Sequence, residues 1–519
     1  MEQRQTWSSR ATFIMAAIGS AVGLGNAWRF PGLAAKYGGG AFLLVYIIAM
    51  LVLGFPLLMM EISIGRKTRQ GAPGAMRTVN PKFEFVGWTA TSNAFAILTY
   101  YSVVFAWVIL MVVNSYKFVG FTGTETAAED ASGLFGTLTQ TTWTISGFHI
   151  PLAVFLCLLV GWVLIYACIH KGTVSAGKVV KFTGLILPLL FLAIMAIKGL
   201  TMNGAMEGLA KLFTPDFSSV IEAGMLPSLI VDAIGQVFFS LSIMMAIMFA
   251  YGSYLENDAC VAADAAIIAI ADLSISVLSG IVMFTTMYGV GMTTADMSSS
   301  GIATAFIIYP QAIVNLTSNG VVNALFGAIF YLCLCSLAID SAFSIAEGVI
   351  AAVADKFGLS HRKTTIGVCL VAGIISIIYT TQSGLAWLDI VDNWTNQYNM
   401  ILVGALECLV VGWFFDPKKV LDEVNRNHKN FRMPNWWFTA SIKIIAPFAL
   451  VIFCGWNFYA LFAAGGVYGA ADGYPLWSNL IAGWGVMLLS FLSGPIINAI
   501  YRAKKKKGLA VEEKAWHEC

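Results

Sequence analysis

Gly19-Ser20-Ala21-Val22-Gly23-Leu24-Gly25-Asn26, followed by Trp28-Arg29-Phe30-Pro31, is the stretch whose reading decides the fold. It sits in an apolar segment long enough to cross a bilayer. Three interior glycines weaken a helix there, each costing about 1 kcal/mol relative to alanine. A break at membrane depth frees carbonyls and amides, and is tolerated only where protein or a polar cavity surrounds it. Freed carbonyls can hold a hard cation, and a helix N-terminus can hold a carboxylate. Gly19 and Gly23 also satisfy the small-xxx-small pattern of closely packed helices, so the motif alone leaves an ion site and tight packing both open.

Of 519 residues 58% are hydrophobic and 11% charged, against about 25% charged in a soluble domain. Apolar runs such as Ala41 to Met60, Phe148 to Ile169, Ala233 to Leu255 and Gly320 to Ile339 recur, each near the roughly 20 residues that cross hydrocarbon. The expectation is an all-α membrane protein, a single domain over 1–519 with twelve transmembrane helices. They are placed near 11–37, 41–65, 84–117, 148–168, 176–198, 228–254, 261–288, 322–354, 364–380, 385–414, 436–463 and 474–501. The outer loop 289–320 carries an apolar stretch, Ala303 to Val314, too short to cross and suited to lie over the outer mouth.

Arg66, Lys67, Arg69, Arg77 and Lys82 crowd the loop after the second span. Lys418, Lys419, Arg426, Lys429 and Arg432 mark a later loop, and Arg502 with Lys504 to Lys507 the tail, while 121–147 has no basic residue. The positive-inside bias then places both termini in the cytoplasm, with Lys198 and Lys211 running against it; the expected location is the cell inner (plasma) membrane, multi-pass. No cleavable signal peptide is expected. The net charge of +2 gives no argument for nucleic acid, because topology already explains the basic residues. Nine cysteines without metal-ligand spacing read as packing residues.

Acidic residues inside spans are the second signal. Asp272, near Ser274 and Ser276, and Asp340, beside Ser341, each cost about 3 kcal/mol or more at the bilayer centre unless they face a cavity, a partner or an ion. With hydroxyls nearby both suit a cation, and a hydrogen bond to a neighbouring helix is the other reading. Glu347, on about the same face as Asp340 and near the inner end, reads as structural. Gln236-Val237-Phe238-Phe239-Ser240-Leu241-Ser242 puts polar side chains in an apolar span, but no Gly or Pro marks a break there. Tyr100 and Tyr101 offer hydroxyls to a ligand or to the packing. No HExxH motif, GxSxG elbow or histidine cluster points to an enzyme.

Several of these motifs, in order over nearly the whole chain, resemble the neurotransmitter:sodium symporter family. They are the glycine-rich first span through Arg29-Phe30-Pro31, Gly38-Gly39-Gly40-Ala41-Phe42, Glu61, Gln236 to Ser242, Asp340-Ser341 and Asp392-Asn393-Trp394. The resemblance implies a leucine-transporter-type inverted repeat of spans 1–5 (11–198) and 6–10 (228–414), with two additional helices over 436–501. It further implies a symporter that moves a small neutral amino acid with sodium by alternating access in the lipid bilayer.

Carried over by position, one of two sodium sites would use Ala21, Asn26, Ser240 and Asp272 with the substrate carboxylate. The second would use Gly19, Val22, Leu337, Asp340 and Ser341. The substrate would meet Ser20, Ala21, Gly23, Leu24, Gly25, Ile97, Tyr101, Phe239, Ser240, Ser242, Met245, Ser341 and Ile345. Monoamine carriers of the family have an aspartate where Gly23 stands, so this chain leaves room for a substrate carboxylate. Met244 replaces a family glycine and is expected to narrow the pocket, while Met245 replaces a phenylalanine and is expected to widen it.

Arg29 with Asp392 would close the outside and Tyr101 with Phe239 the roof. Arg4 with Asp355, helped by Trp7, Ser253 and Tyr254, would close the inside. Tyr46, Gln236, Ser240 and Ser276 match chloride-binding positions of animal members, but Asp272 replaces their asparagine. Its fixed charge would repel a chloride bound close by, so the expected transport is chloride-independent. Proton coupling through Asp272 and Asp340 is the rival within transport, and a non-transporting amino-acid receptor the rival outside it.

Overall fold

A computed structural model describes residues 5–297, 300–427, 431–505 and 515–519. Among them there is no strand, and the helices follow the expected spans closely. Ten are each long and apolar enough to cross a bilayer. These are α2 (Gly40–Thr68), α3 (Pro81–Phe121), α4 (Leu152–Ile169), α5 (Thr173–Leu200), α7 (Val261–Gly289), α8 (Gly320–Phe357), α9 (His361–Thr380), α10 (Gly384–Phe414), α11 (Asn435–Ala463) and α12 (Leu476–Ala503). The other two spans are interrupted. α1 is two helices, α1a (Arg10–Ala21) and α1b (Gly25–Lys36), bent by 47°; α6 is α6a (Leu226–Ser240) and α6b (Ile247–Ser253).

The α1 break follows from its glycines. Val22 leaves the helix at φ −79, ψ 86, and Gly25–Arg29 resumes as a wide turn. The α6 break has no such sequence cause. Ser242, Met244 and Ala246 take φ of 54, 63 and 61, a left-handed conformation that costs roughly 1–2 kcal/mol per L-residue. Contacts from distant helices hold it. The Ser242 hydroxyl donates to the Ser20 carbonyl at 2.8 Å, and the Met244 N–H donates to Glu61 Oε1 at 2.7 Å.

α2 and α6b lie too close for side chains at their crossings, since a Cβ at Gly65 or Gly252 would overlap the carbonyl of Phe249 or Ile62. The broken helices, α3, α8 and the outer half of α10 form the buried centre, while α4, α5, α9, α11 and α12 present more apolar surface outward. The short outer helix Tyr309–Val314 and the turn before it cover the outer end: Phe306 packs on Trp28 with ring centroids 5.9 Å apart.

Candidate functional site

A cavity lies where the two breaks face each other. It is lined by Ser20, Ala21, Gly23, Gly25, Asn26, Tyr101, Phe239, Ser240, Ser242, Met245, Ser341 and Ile345. Of the residues expected to meet a substrate, all line it except Leu24 and Ile97, which are buried. Asn26 joins the lining from the expected cation set. No lining side chain carries a formal charge. Tyr101, Phe239, Met245 and Ile345 supply apolar wall, and the broken backbones supply polar atoms opposite.

Gly23 is required by a close approach, because a Cβ there would stand 2.5 Å from Ser341 Oγ and 3.7 Å from the Tyr101 hydroxyl. A side chain there would have to displace the Ser341 hydroxyl. At Gly25 a Cβ would meet the Phe239 ring at 2.7 Å. The Ser20 hydroxyl is buried without a hydrogen-bond partner, a cost that a polar ligand would relieve. Met244 does not narrow this space: it is absent from the lining, and its side chain packs toward Gly404 on α10.

Asp272, on α7, is fully buried beside the cavity. Its Oδ1 accepts from Asn26 Nδ2 at 2.7 Å, and its Oδ2 from Ser240 Oγ at 2.9 Å and the Tyr46 hydroxyl at 3.2 Å. Asn26 Nδ2 also donates to Ser276 Oγ at 2.8 Å, and Gln236 Nε2 donates to the Gly25 carbonyl at 3.1 Å. The hydroxyl and amide groups at the expected anion positions thus gather around a carboxylate that the chain itself supplies.

Asp340 stands where the second cation was expected. Thr183 on α5 donates to Oδ1 at 2.6 Å, while Oδ2 is buried and unpartnered. A Cβ at Gly19 would fall 2.7 Å from that oxygen and 2.9 Å from Gly184 Cα. Gly19 therefore lets a free carboxylate oxygen approach the C-terminal end of α1a, the negative end of a helix dipole. Val22, Leu337 and Ser341 are buried in the same region. An uncompensated anion beside helix-end carbonyls fits a hard cation. Thr183 and Gly184 escaped sequence reasoning, since neither belongs to a charged motif.

The two ends of the molecule differ. On the inside Trp7 is buried, its indole donating to the Tyr251 carbonyl and its backbone N–H to the Tyr254 carbonyl, both at 3.1 Å. Tyr254 donates to Glu347 Oε1 at 2.5 Å, and His361 meets the same carboxylate at 3.0 Å. Ser253 is buried and bonds the Ala250 carbonyl. Asp355 Oδ2 accepts the Gly71 N–H at 2.7 Å, and Arg4 lies outside the described residues. A further tie missed in the sequence joins Arg10 at the start of α1a to Asp264 on α7 at 2.7 Å.

On the outside Arg29 forms no ion pair with Asp392. Its guanidinium lies over the Phe239 ring, 5.5 Å from the centroid, while Asp392 Oδ1 accepts from Tyr100 and Asn396, each at 2.7 Å. On the inside Trp7 is tied to α6b, while on the outside Arg29 rests on Phe239 and not in an ion pair with Asp392.

Comparison with known proteins fits this geometry. The model of the sodium:neurotransmitter symporter family matches residues 4–126 and 139–505. An uncharacterised sodium-dependent transporter of Methanocaldococcus jannaschii is 34% identical over 454 residues, 84% of this chain and 87% of that protein. The mouse (Mus musculus) sodium-dependent neutral amino acid transporter B(0)AT3 is 29% identical over 525 residues, 86% and 83% of the two chains. The crystal structure of MhsT in complex with L-phenylalanine superposes with a TM-score of 0.75 at 26% identity, covering 87% of this chain and 99% of that one. The chain therefore belongs to the sodium:neurotransmitter symporter family and has its leucine-transporter fold, built around two broken helices.

Proposed function

We propose that the protein imports a neutral amino acid together with two sodium ions, without chloride, by alternating access across the plasma membrane with both termini in the cytoplasm. The observation that carries this reading is the uncharged cavity between the two helix breaks, flanked by the buried carboxylates Asp272 and Asp340. A zwitterion matches such a wall. Its carboxylate suits the free backbone near Gly23 and Gly25 and a cation at Asp272, and its side chain suits the apolar residues opposite. The names of the mouse relative and of the phenylalanine-bound neighbour support that substrate class.

Sodium at Ala21, Asn26, Ser240 and Asp272 would touch the substrate carboxylate. Each ligand then raises the other's affinity by the same factor. Sodium at Gly19, Val22, Leu337, Asp340 and Ser341 would join α1a to α8, the helix that bears Ser341 and Ile345. Each inward charge gains about 2.3 kcal/mol per 100 mV, which drives accumulation. Bringing Arg29 to Asp392 over Tyr101 and Phe239 would close the outside. Releasing Trp7 from α6b would open the inside. The halves 11–198 and 228–414 are the bodies expected to move against each other.

Purified protein in proteoliposomes, with an inward sodium gradient and a panel of neutral amino acids, tests the reading. Uptake should require sodium and continue when gluconate replaces chloride. Uptake that persists without sodium, or binding without accumulation, would overturn the coupled import; loss of uptake in gluconate would overturn the chloride independence.

A further inference from the structure

The cavity owes part of its width to two glycines that do not line it. The link 241–246 that breaks α6 separates the cavity from α10: Met245 lines the cavity, and Met244 is turned away toward Gly404. Behind Met244, a Cβ at Gly404 would come within 3.4 Å of Met244 Cγ and Sδ and 3.2 Å of Leu450 Cδ1 on α11. Carbon atoms at ease stay about 3.5–4.0 Å apart. A side chain at 404 therefore gains room only by moving Met244 or Leu450. The bare backbone at Gly404 is what lets Met244 lie outside the cavity.

The second glycine is on α8, one helical turn beyond Ile345. A Cβ at Gly348 would stand 3.3 Å from the Met245 carbonyl oxygen, the Ala246 carbonyl carbon and the Ile247 nitrogen. These are main-chain atoms, which cannot swing aside as a methionine side chain can. The link rests on both glycines, and Ser242, Met244 and Ala246, at positive φ, interrupt the helix around it. Such a segment shifts as a unit when a close-packed neighbour grows.

We propose that Gly348 and Gly404 set, from outside the cavity, the size of the substrate side chain it accepts. Volume added at 404 pushes the link from behind and brings Met245 inward, so small side chains are favoured. Volume added at 348 pushes the main chain at 245–247 away from α8. Met245 then draws back from Ile345, and bulkier side chains are favoured. Neither glycine lines the cavity, so both act as positioning residues, and their opposite signs follow from bearing on the link from different helices.

The test by ligand binding rests on the amino-acid reading above. Purified protein in sodium is titrated with L-alanine and with L-leucine, and the ratio of the two dissociation constants is compared among variants. Gly404→Ala should move the ratio toward alanine by about tenfold, the discrimination that an apolar pocket makes for one methylene. Gly348→Ala should move it toward leucine. A general loosening of the fold would weaken both ligands alike and leave the ratio in place. Adding Met244→Ala, which empties the space beside residue 404, should cancel the Gly404→Ala shift. Should Gly404→Ala fail to fold, Met244→Ala alone must move the ratio toward leucine, because the link can then settle toward α10. Ratios that stay put, or that move the same way in both glycine variants, overturn the proposal. Absence of amino-acid binding in every form would sink the substrate reading instead, and thermal melting then decides the contact. Met244→Ala and Gly404→Ala must be non-additive in melting temperature, and additive effects would overturn the seat at Gly404.

Discussion

Replacing Asp272 by asparagine tests the anion logic of the first proposed cation site. The change keeps the shape. The side-chain oxygen can still accept from Asn26, 2.7 Å away, and the new amide can donate to the hydroxyls of Ser240 and Tyr46, which accept as readily as they donate. What disappears is one buried negative charge. A sodium ion about 4 Å from it loses about 4 kcal/mol of attraction at the effective dielectric of about 20 that suits protein sites. That corresponds to roughly a thousandfold weaker sodium binding. Tyr46, Gln236, Ser240 and Ser276 remain as donors around the vacated charge, so a chloride held there should restore much of the loss. The assay is sodium-dependent binding of amino acid to purified protein in chloride and in gluconate. Wild type should bind equally in both, and Asp272→Asn only in chloride. Equal binding of the variant in gluconate would refute the charge argument. A folded variant that chloride does not rescue would refute the idea that the carboxylate stands in for an anion.

Three further outcomes follow from individual contacts. Gly23→Ala places a methyl 2.5 Å from Ser341 Oγ; substrate affinity should fall by at least about tenfold, the equivalent of 1.4 kcal/mol, and partly recover in the Gly23→Ala/Ser341→Ala double variant. Asp340→Ala removes the carboxylate with the unpartnered oxygen and should abolish sodium-dependent binding while the protein stays monodisperse in gel filtration. Ala246→Gly trades a left-handed penalty of about 1–2 kcal/mol for a lost buried methyl of about 0.8 kcal/mol, leaving thermal stability near or above wild type. Ala250→Gly, in the helical part of α6b, loses the methyl and about 1 kcal/mol of helix propensity with no compensation, so its melting temperature should fall well below that of Ala246→Gly.

The parts of the site that could be read in advance are those whose cause is local. Gly19, Gly23 and Gly25 weaken α1 by their own chemistry, and Asp272 and Asp340 are expensive in any apolar span, so the two buried carboxylates and most of the cavity wall were legible from composition and family likeness. The outer charge pair was legible as residues but not as a state. Arg29 and Asp392 stand apart because Arg29 rests on Phe239 and Asp392 is satisfied by Tyr100 and Asn396, and which partner wins depends on conformation. Arg10 was hidden in another way, since a basic residue beside a span reads as a topology signal until Asp264 is found opposite it.

The break in α6 shows why the remainder was illegible. Ser242, Met244 and Ala246 are poor choices for a left-handed backbone, and an isolated segment of this sequence would have no reason to leave the helix. Its partners are Ser20 and Glu61, which lie 222 and 183 residues away in the chain. The strain at the link is therefore carried by α1 and α2, and the link can hold its shape only while those helices stay in place. In the proposed cycle, a motion that moves α1a away from α8 also withdraws the Ser20 carbonyl from Ser242, so opening the inside and disturbing the cavity wall would become one event. Glycines at these positions would have made the break visible in the sequence, but the link would then lean less on its neighbours and report their movement to the cavity less directly.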